Sequence, residues 1–402
     1  MKKIKKHPLI SRLSLAALAL PGLMQDASAG RVEETYNADF QYGKYAESDN
    51  RMKVDIFEGA ISAPIGKSMT ASINLVRDVI SGASPMYTRP DAKGNIKQFL
   101  SGASITEQRD AISSNLTYFF DKGALGVGGG FSRENDYTSR YVNTNASIDL
   151  NNKLTTLNFG ASGAFDIVEP TNRVINESDA EDSPSSAIRS KTSQQYLLGV
   201  SQVIDKESIV QSNITFGYQT GYLGDPYKSV FFIGDRGGAG HSDIRPGEKF
   251  QWAWLTQYVR HFQQFNSAAL HADYRFYTDD WGINAHTLEL SWHQPIADGW
   301  QVIPRFRYYS QDRADFYQPY FEKGDQSSVY SSDYRLDGFG TLSGGIKFAK
   351  EFKQVKNVEQ LKLQAGFEYY DHKSSYELGG NGNHGFNDFN YYLLTASVSM
   401  KF

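Results

Sequence analysis

Tyr391-Tyr392-Leu393-Leu394-Thr395-Ala396-Ser397-Val398-Ser399-Met400-Lys401-Phe402 closes the chain and decides how the rest is read. Tyr392, Leu394, Ala396, Val398, Met400 and Phe402 form one alternating row. Tyr391, Leu393, Thr395, Ser397, Ser399 and Lys401 form the other. Successive side chains of a strand point to opposite faces, so one face here is oily and the other turns polar in its later half.

The same period of two recurs toward the N-terminus. Alternating stretches predict strands near 34–47, 51–65, 68–80, 107–120, 123–136, 137–151, 153–167 and 191–205. They continue near 207–222, 248–264, 266–280, 283–297, 299–313, 334–351, 358–373 and 388–402, about 16 in all. The breaks alternate in kind. Gly66-Lys67, Asp121-Lys122-Gly123, Asn151-Asn152-Lys153, Asp205-Lys206-Glu207, Asn266-Ser267 and Asp298-Gly299 are tight turns, with a longer one expected near 352–357. Every long segment (81–106, 168–190, 223–247, 314–333 and 374–387) falls on the other side. Short periplasmic turns on one rim and long extracellular loops on the other define an all-β, transmembrane antiparallel up-and-down β-barrel.

Composition agrees. The chain carries 25 Tyr, 25 Phe and 36 Gly but no Cys, and is polar on average. Aromatic rims around a wet interior have that profile. Phe250, Trp252, Trp254, Tyr258 and Phe262 share an apolar row, whereas Gln211, Asn213, Thr215 and Gln219 share a polar one. Arg77 and Arg260 fall on apolar rows, which implies either a rim position or a local slip of register. At the N-terminus, Lys2, Lys3, Lys5, Lys6 and Arg12 precede the apolar Leu13–Leu20, and Ala27-Ser28-Ala29 supplies a small-residue cleavage pattern. Residues 1–29 read as a secretory signal peptide and 30–402 as one outer-membrane barrel domain. Without the leader, 36 basic residues face 44 acidic ones, a balance of −8 that argues against nucleic acid as a partner.

The ionisable residues of the inward rows concentrate in one part of the chain. His271, Asp273 and Arg275 alternate on one strand, Glu289 and His293 on the next, Arg305 and Arg307 on the next, and Glu368 and His372 two further on. These nine are the pore-lining candidates, since mixed charge on a lumen wall sorts solutes by charge; the plainer alternative is a wall that is merely solvated. Asp55, Asn74 and Asp78 are placed on the opposite wall. His271 with Asp273, and Glu289 with His293, have donor types for zinc or copper, but no compact His/Cys cluster or HExxH is present. No metal, cofactor or catalytic set is therefore expected; no GxSxG elbow occurs either. Gly128-Gly129-Gly130 and Gly237-Gly238-Ala239-Gly240 open no helix and read as small residues of a wall and a loop. The acidic run Glu177–Asp182 reads as a solvated loop tip in preference to a divalent-cation site that would engage lipopolysaccharide.

The closing stretch is similar to the last strand of bacterial outer-membrane barrels, whose C-terminal Phe is read by the barrel-assembly machinery. Phe402 takes that role by resemblance. Met52–Glu58 with Ser62–Gly66, Asp78–Pro85, and Asp243-Ile244-Arg245-Pro246 resemble a family of exported bacterial proteins of unknown function, regarded as outer-membrane barrels. The resemblance implies location and fold and assigns no activity. Within it, Ser81, Gly82, Ala83, Ser84 and Pro85 form a turn of small residues suited to folding back into the barrel mouth. Taken together, a porin-like channel for passive passage of small hydrophilic solutes is expected, surrounded by outer-membrane lipid and lipopolysaccharide. The alternative is a non-conducting scaffold that receives a periplasmic partner.

Overall fold

The computed structural model describes residues 35–49, 51–100, 105–170, 188–234, 240–322, 327–355, 357–380 and 388–402. The expected leader at 1–29, the acidic run at 177–182 and most of the glycine segment at 237–240 lie outside these. In chain order the strands are β1 (Asn37–Glu47), β2 (Lys53–Ile65), β3 (Met69–Gly82), β4 (Pro85–Pro90), β5 (Ile96–Leu100), β6 (Ile105–Phe120) and β7 (Gly123–Arg133). There follow β8 (Tyr137–Leu150), β9 (Thr155–Val168), β10 (Arg189–Val203), β11 (Ser208–Gly221), β12 (Ser229–Ile233), β13 (Gly240–Ser242) and β14 (Glu248–Phe262). The last seven are β15 (Ala268–Asp279), β16 (Asn284–Pro295), β17 (Trp300–Gln311), β18 (Phe321–Glu322), β19 (Phe339–Val355), β20 (Val358–Lys373) and β21 (Phe389–Lys401).

Sixteen of them form one closed antiparallel ring, β1-β2-β3-β6-β7-β8-β9-β10-β11-β14-β15-β16-β17-β19-β20-β21. Closure pairs β21 with β1, from Asn37 opposite Lys401 to Glu47 opposite Tyr391. The turn chemistry follows the residues. Asn266-Ser267 and Asp298-Gly299 hold positive φ at both positions (55° and 60°, 46° and 77°), as tight hairpins with the strand's own twist require. The connection expected to be longer at 352–357 is tight as well, since β19 ends at Val355 and β20 starts at Val358 with Asn357 at φ 64°.

The two faces separate by chemistry. Ile61, Val142 and Phe165 are 60–62 % exposed on the outside, with Ile73, Leu75, Val127 and Leu198 in the same condition. Tyr118, Phe120, Phe265, Trp300, Phe352 and Phe402 are also exposed, each beside a short turn or the closing seam, so aromatics ring the turn rim. Polar residues fill the inside. Gly130 lies there because the Tyr141 ring crosses it; a Cβ would come within 2.5 Å of that ring.

Asp55 is a correction. It stands opposite Val79, while Asp78 stands opposite Ile56, so Asp55 and Asp78 face opposite sides of the sheet. Asp55 shares its outer row with exposed Phe57 and Ile61 and accepts a hydrogen bond from the Tyr42 hydroxyl at 2.6 Å. A one-residue error of parity moves a side chain to the other face. Arg77 also points outward, where it pairs with Asp110 at 2.6 Å. Arg260 lies two residues from the end of β14, opposite Ser208.

Three long loops carry structure of their own. β4 and β5 form a hairpin, and β13-β12-β18 form a three-stranded sheet. Val230, Phe232 and Phe321 make a small apolar core for that sheet. A second core joins Leu223, Ala314, Tyr317 and Leu336 from the loops to Trp281 and Ile283 at the barrel edge. The part of the 334–351 strand before Phe339 belongs here instead: Tyr334–Leu336 is a 3₁₀ turn. These segments form a cap on the loop rim.

Candidate functional site

Alternate residues of β16, β17, β19, β20 and β21 enclose a lumen cavity of about 360 Å³, among them Glu289, His293, Arg305, Lys347, Lys362 and Glu368. Above it, toward the cap, lies a second cavity of about 550 Å³. Leu393 lines both.

Between them Arg305 is clamped. Its Nε and Nη2 donate to the two oxygens of Glu289 at 2.8 and 2.5 Å, and Nη1 donates to Glu368 Oε1. Glu368 Oε2 accepts the Tyr370 hydroxyl. Such a bidentate, charge-assisted pair fixes all three side chains on the wall. Arg307 differs. It stands directly opposite Glu289 in the ladder, but Glu289 is already engaged by Arg305. Among the described residues no carboxylate lies within ion-pair distance of Arg307, which lines the upper cavity.

The other candidates distribute around this pair. His271 and His293 stack with ring centroids 4.2 Å apart, and Asp273 accepts a hydrogen bond from Gln257 at 3.2 Å. Arg275 follows on the same row and is exposed. His372 is buried between Phe339 and Phe389, at 4.1 and 4.4 Å. On the far wall Asp78 is held by Arg109 at 2.6 Å, and Asn74 lies opposite Ala60 and Ser113. His271, Asp273, Glu289 and His293 do not gather as a ligand set. Among the described residues the group whose oxygens approach one another within 4.8 Å is Glu107, Glu134 and Asp136, all buried.

Ser81 and Gly82 still belong to the wall at the end of β3. Gly82 has φ 115°, and a Cβ there would lie 2.3 Å from the Arg51 carbonyl oxygen. Ala83 follows, and Ser84 turns inward to line the upper cavity. Pro85 opens β4, and its carbonyl accepts a hydrogen bond from Lys228 Nζ. The mouth turn therefore reaches the cavity roof.

The roof is held by charges that the sequence reading missed. Arg245 joins Asp243 and Asp333, each at 2.7 Å, and Arg335 joins Asp225 at 2.7 Å and also Asp333. Burial alone would raise the Asp333 carboxyl, but Arg335, Lys228 and Arg245 hold it well below the ordinary carboxylate range. Burial pulls Lys228 down to about 8. Tyr227 donates to Asp136, Thr88 to the Pro319 carbonyl, and Arg51 to Gln98 at 2.6 Å, tying the cap segments to one another and to the rim. The signal for this roof was the Asp-Ile-Arg-Pro stretch at 243–246; its partners in other loops had none.

The fold and site define a closed sixteen-strand barrel whose lumen holds two adjoining cavities beneath a cap of loops. The chain belongs to the family described as protein of unknown function (DUF3570), matched over residues 10–393. Comparison with curated proteins gives no match. Among solved structures, the chain is similar to a bacterial polysaccharide outer membrane secretin (6 % identity, 92 % of this chain and 99 % of that one, TM-score 0.47). It is also similar to OpdK of Pseudomonas aeruginosa (8 % identity, 92 % and 99 %, TM-score 0.42). The ferric enterobactin receptor of Pseudomonas aeruginosa matches at 9 % identity, over 87 % of this chain and 54 % of its own, TM-score 0.44. The chain thus spans about half the length of the siderophore receptors it matches. None of these reaches a TM-score of 0.5, so the functional reading rests on this chain's own residues.

Proposed function

We propose that this barrel resides in the outer membrane and conducts small hydrophilic solutes, with the cap restricting entry and the inward charges selecting among them. The location is supported by the outer face: rows of exposed aliphatics with an aromatic ring at the turn rim suit lipid and its interface, and water poorly. Lipid offers no hydrogen bonds to a backbone, and a closed ring leaves no strand edge needing one. The observation that carries the channel reading is the pair of adjoining lumen cavities, bordered by the Arg305 clamp and by Arg307, which has no carboxylate partner among the described residues.

Single-channel recording of the refolded protein in planar bilayers tests it. Steady conductance is expected. Arg307→Gln should move selectivity away from anions. Arg305→Gln should move it further, because Glu289 and Glu368 then face the lumen uncompensated. A folded barrel that stays silent in all forms would remove the channel reading. It would favour a scaffold closed by its cap, a second reading supported by the buried roof charges.

A further inference from the structure

We propose that the upper lumen cavity is a binding site for a small aromatic carboxylate, with Arg307 as its counter-ion. The inference deepens the channel reading and rests on it for the ligand's route into the lumen.

At about 550 Å³ the cavity has the size of a small-molecule site, for which roughly 300–1,000 Å³ is usual. Its walls are aromatic on several sides. Tyr391 stacks on Tyr370 at 4.4 Å and 10°, and meets Tyr45 at 5.0 Å; Tyr309 packs with Phe339 at 5.7 Å. Flat faces at such spacings offer offset or edge-on stacking to a further ring.

The charges of the lining leave one sign to spare. Glu47 is occupied, accepting Arg51 Nε at 2.9 Å and the Tyr45 hydroxyl at 2.6 Å. Arg335 is held by Asp225 and Asp333. Among the described residues Arg307 has no carboxylate within ion-pair distance, because Glu289 across the ladder is taken by Arg305. Lys228 lines the same cavity but is not spare: it donates to the Pro85 carbonyl and to Ser84 Oγ and lies in the field of the roof carboxylates Asp333 and Asp225. A planar guanidinium binds a carboxylate through two parallel N–H bonds. An inorganic anion would answer Arg307 but leave the aromatic wall uncovered. A neutral ring would cover the wall but leave the charge.

Benzoate, benzyl alcohol and acetate, titrated by calorimetry into the full-length barrel refolded in detergent, separate these contributions. Benzoate is expected to bind at least about tenfold more tightly than either control, the scale of a hydrogen bond to a charged group. Arg307→Met should remove that advantage while leaving benzyl alcohol unchanged, and Arg307→Lys should retain part of it. Arg77→Gln, on the outer face where that side chain pairs with Asp110, should leave all three ligands unaffected. Equal binding of benzoate and benzyl alcohol by the unaltered protein overturns the proposal, and needs no variant to fold. Unchanged benzoate binding by a folded Arg307→Met barrel overturns it too. Conductance distinguishes the two readings: a silent barrel that binds benzoate keeps this site and loses the channel, and a conducting barrel that ignores benzoate does the reverse.

Discussion

Asp333 joins the two arginines of the roof. Its side chain is fully buried and touches both Arg245 and Arg335, so one carboxylate neutralises parts of two loops. Removing one partner of a buried ion pair leaves the other charge without compensation, which costs on the order of 3–5 kcal/mol. Asp333→Asn should therefore loosen the cap and leave the barrel standing. Near-ultraviolet circular dichroism reports this through Trp281, buried in the cap core, while far-ultraviolet strand signal stays constant. The pH dependence has a definite sign. The folded carboxyl titrates well below the unfolded value of 3.8, so its contribution is fully present above that pH. It is lost as the pH falls through the still lower folded value. In the unaltered protein the Trp281 signal should hold on acidification to about pH 4 and decline only below, whereas Asp333→Asn should lack it at neutral pH.

The cap elements are short and lean on few residues. β12 pairs with β18 through only two residue pairs, Phe232 with Phe321 and Ile233 with Glu322, so side-chain packing has to hold the sheet. Phe232 and Phe321 stack at 5.5 Å over Val230, which is fully buried. Phe321→Ala should cost about 3–5 kcal/mol of local stability. Under the channel reading, single-channel conductance should rise as the mouth opens, with the ring of sixteen strands unaffected. A conductance identical to that of the unaltered protein would mean that the cap does not restrict passage. The same shortness explains what the sequence could show. Barrel strands of 11–17 residues display their period of two, and turns such as Asp298-Gly299 carry their own chemistry, so the ring was legible strand by strand. Cap strands of two to six residues display no period. Their ties also run between distant positions, as from Thr88 to Pro319, 231 residues apart. The inward row of β17 was legible too, but the difference between Arg305 and Arg307 was not, because it depends on which arginine the Glu289 side chain meets. Asp55 was misplaced because a polar residue in an outer row, bonded to Tyr42, looks like an inward one when only its type is read.

The whole barrel depends on one seam. β1 and β21 come from opposite ends of the chain, and their eleven residue pairs close the ring. The last backbone bonds of the seam belong to Phe402, whose N–H donates to Tyr36 O at 2.9 Å and whose carbonyl accepts from Tyr36 N–H at 3.2 Å. Its ring is exposed on the outer face, where it adds little to packing within the barrel. A residue needed only for closure and one read by an assembly machinery make different predictions. Deleting Phe402 removes one pair of bonds at the rim and leaves the pairs from Lys401 inward. Refolding in detergent should then give the same heat-modifiable band on a gel as the complete chain. In cells, the fraction of folded barrel should fall several-fold if the terminal aromatic is the assembly signal. Thr395→Pro provides the contrast. It takes an N–H out of the middle of β21, between Gly43 and Gly366, and should prevent closure in detergent and in cells alike. Normal assembly of the Phe402 deletion in cells would reduce that residue to the end of a strand, and leave the seam itself as what the assembling chain must form.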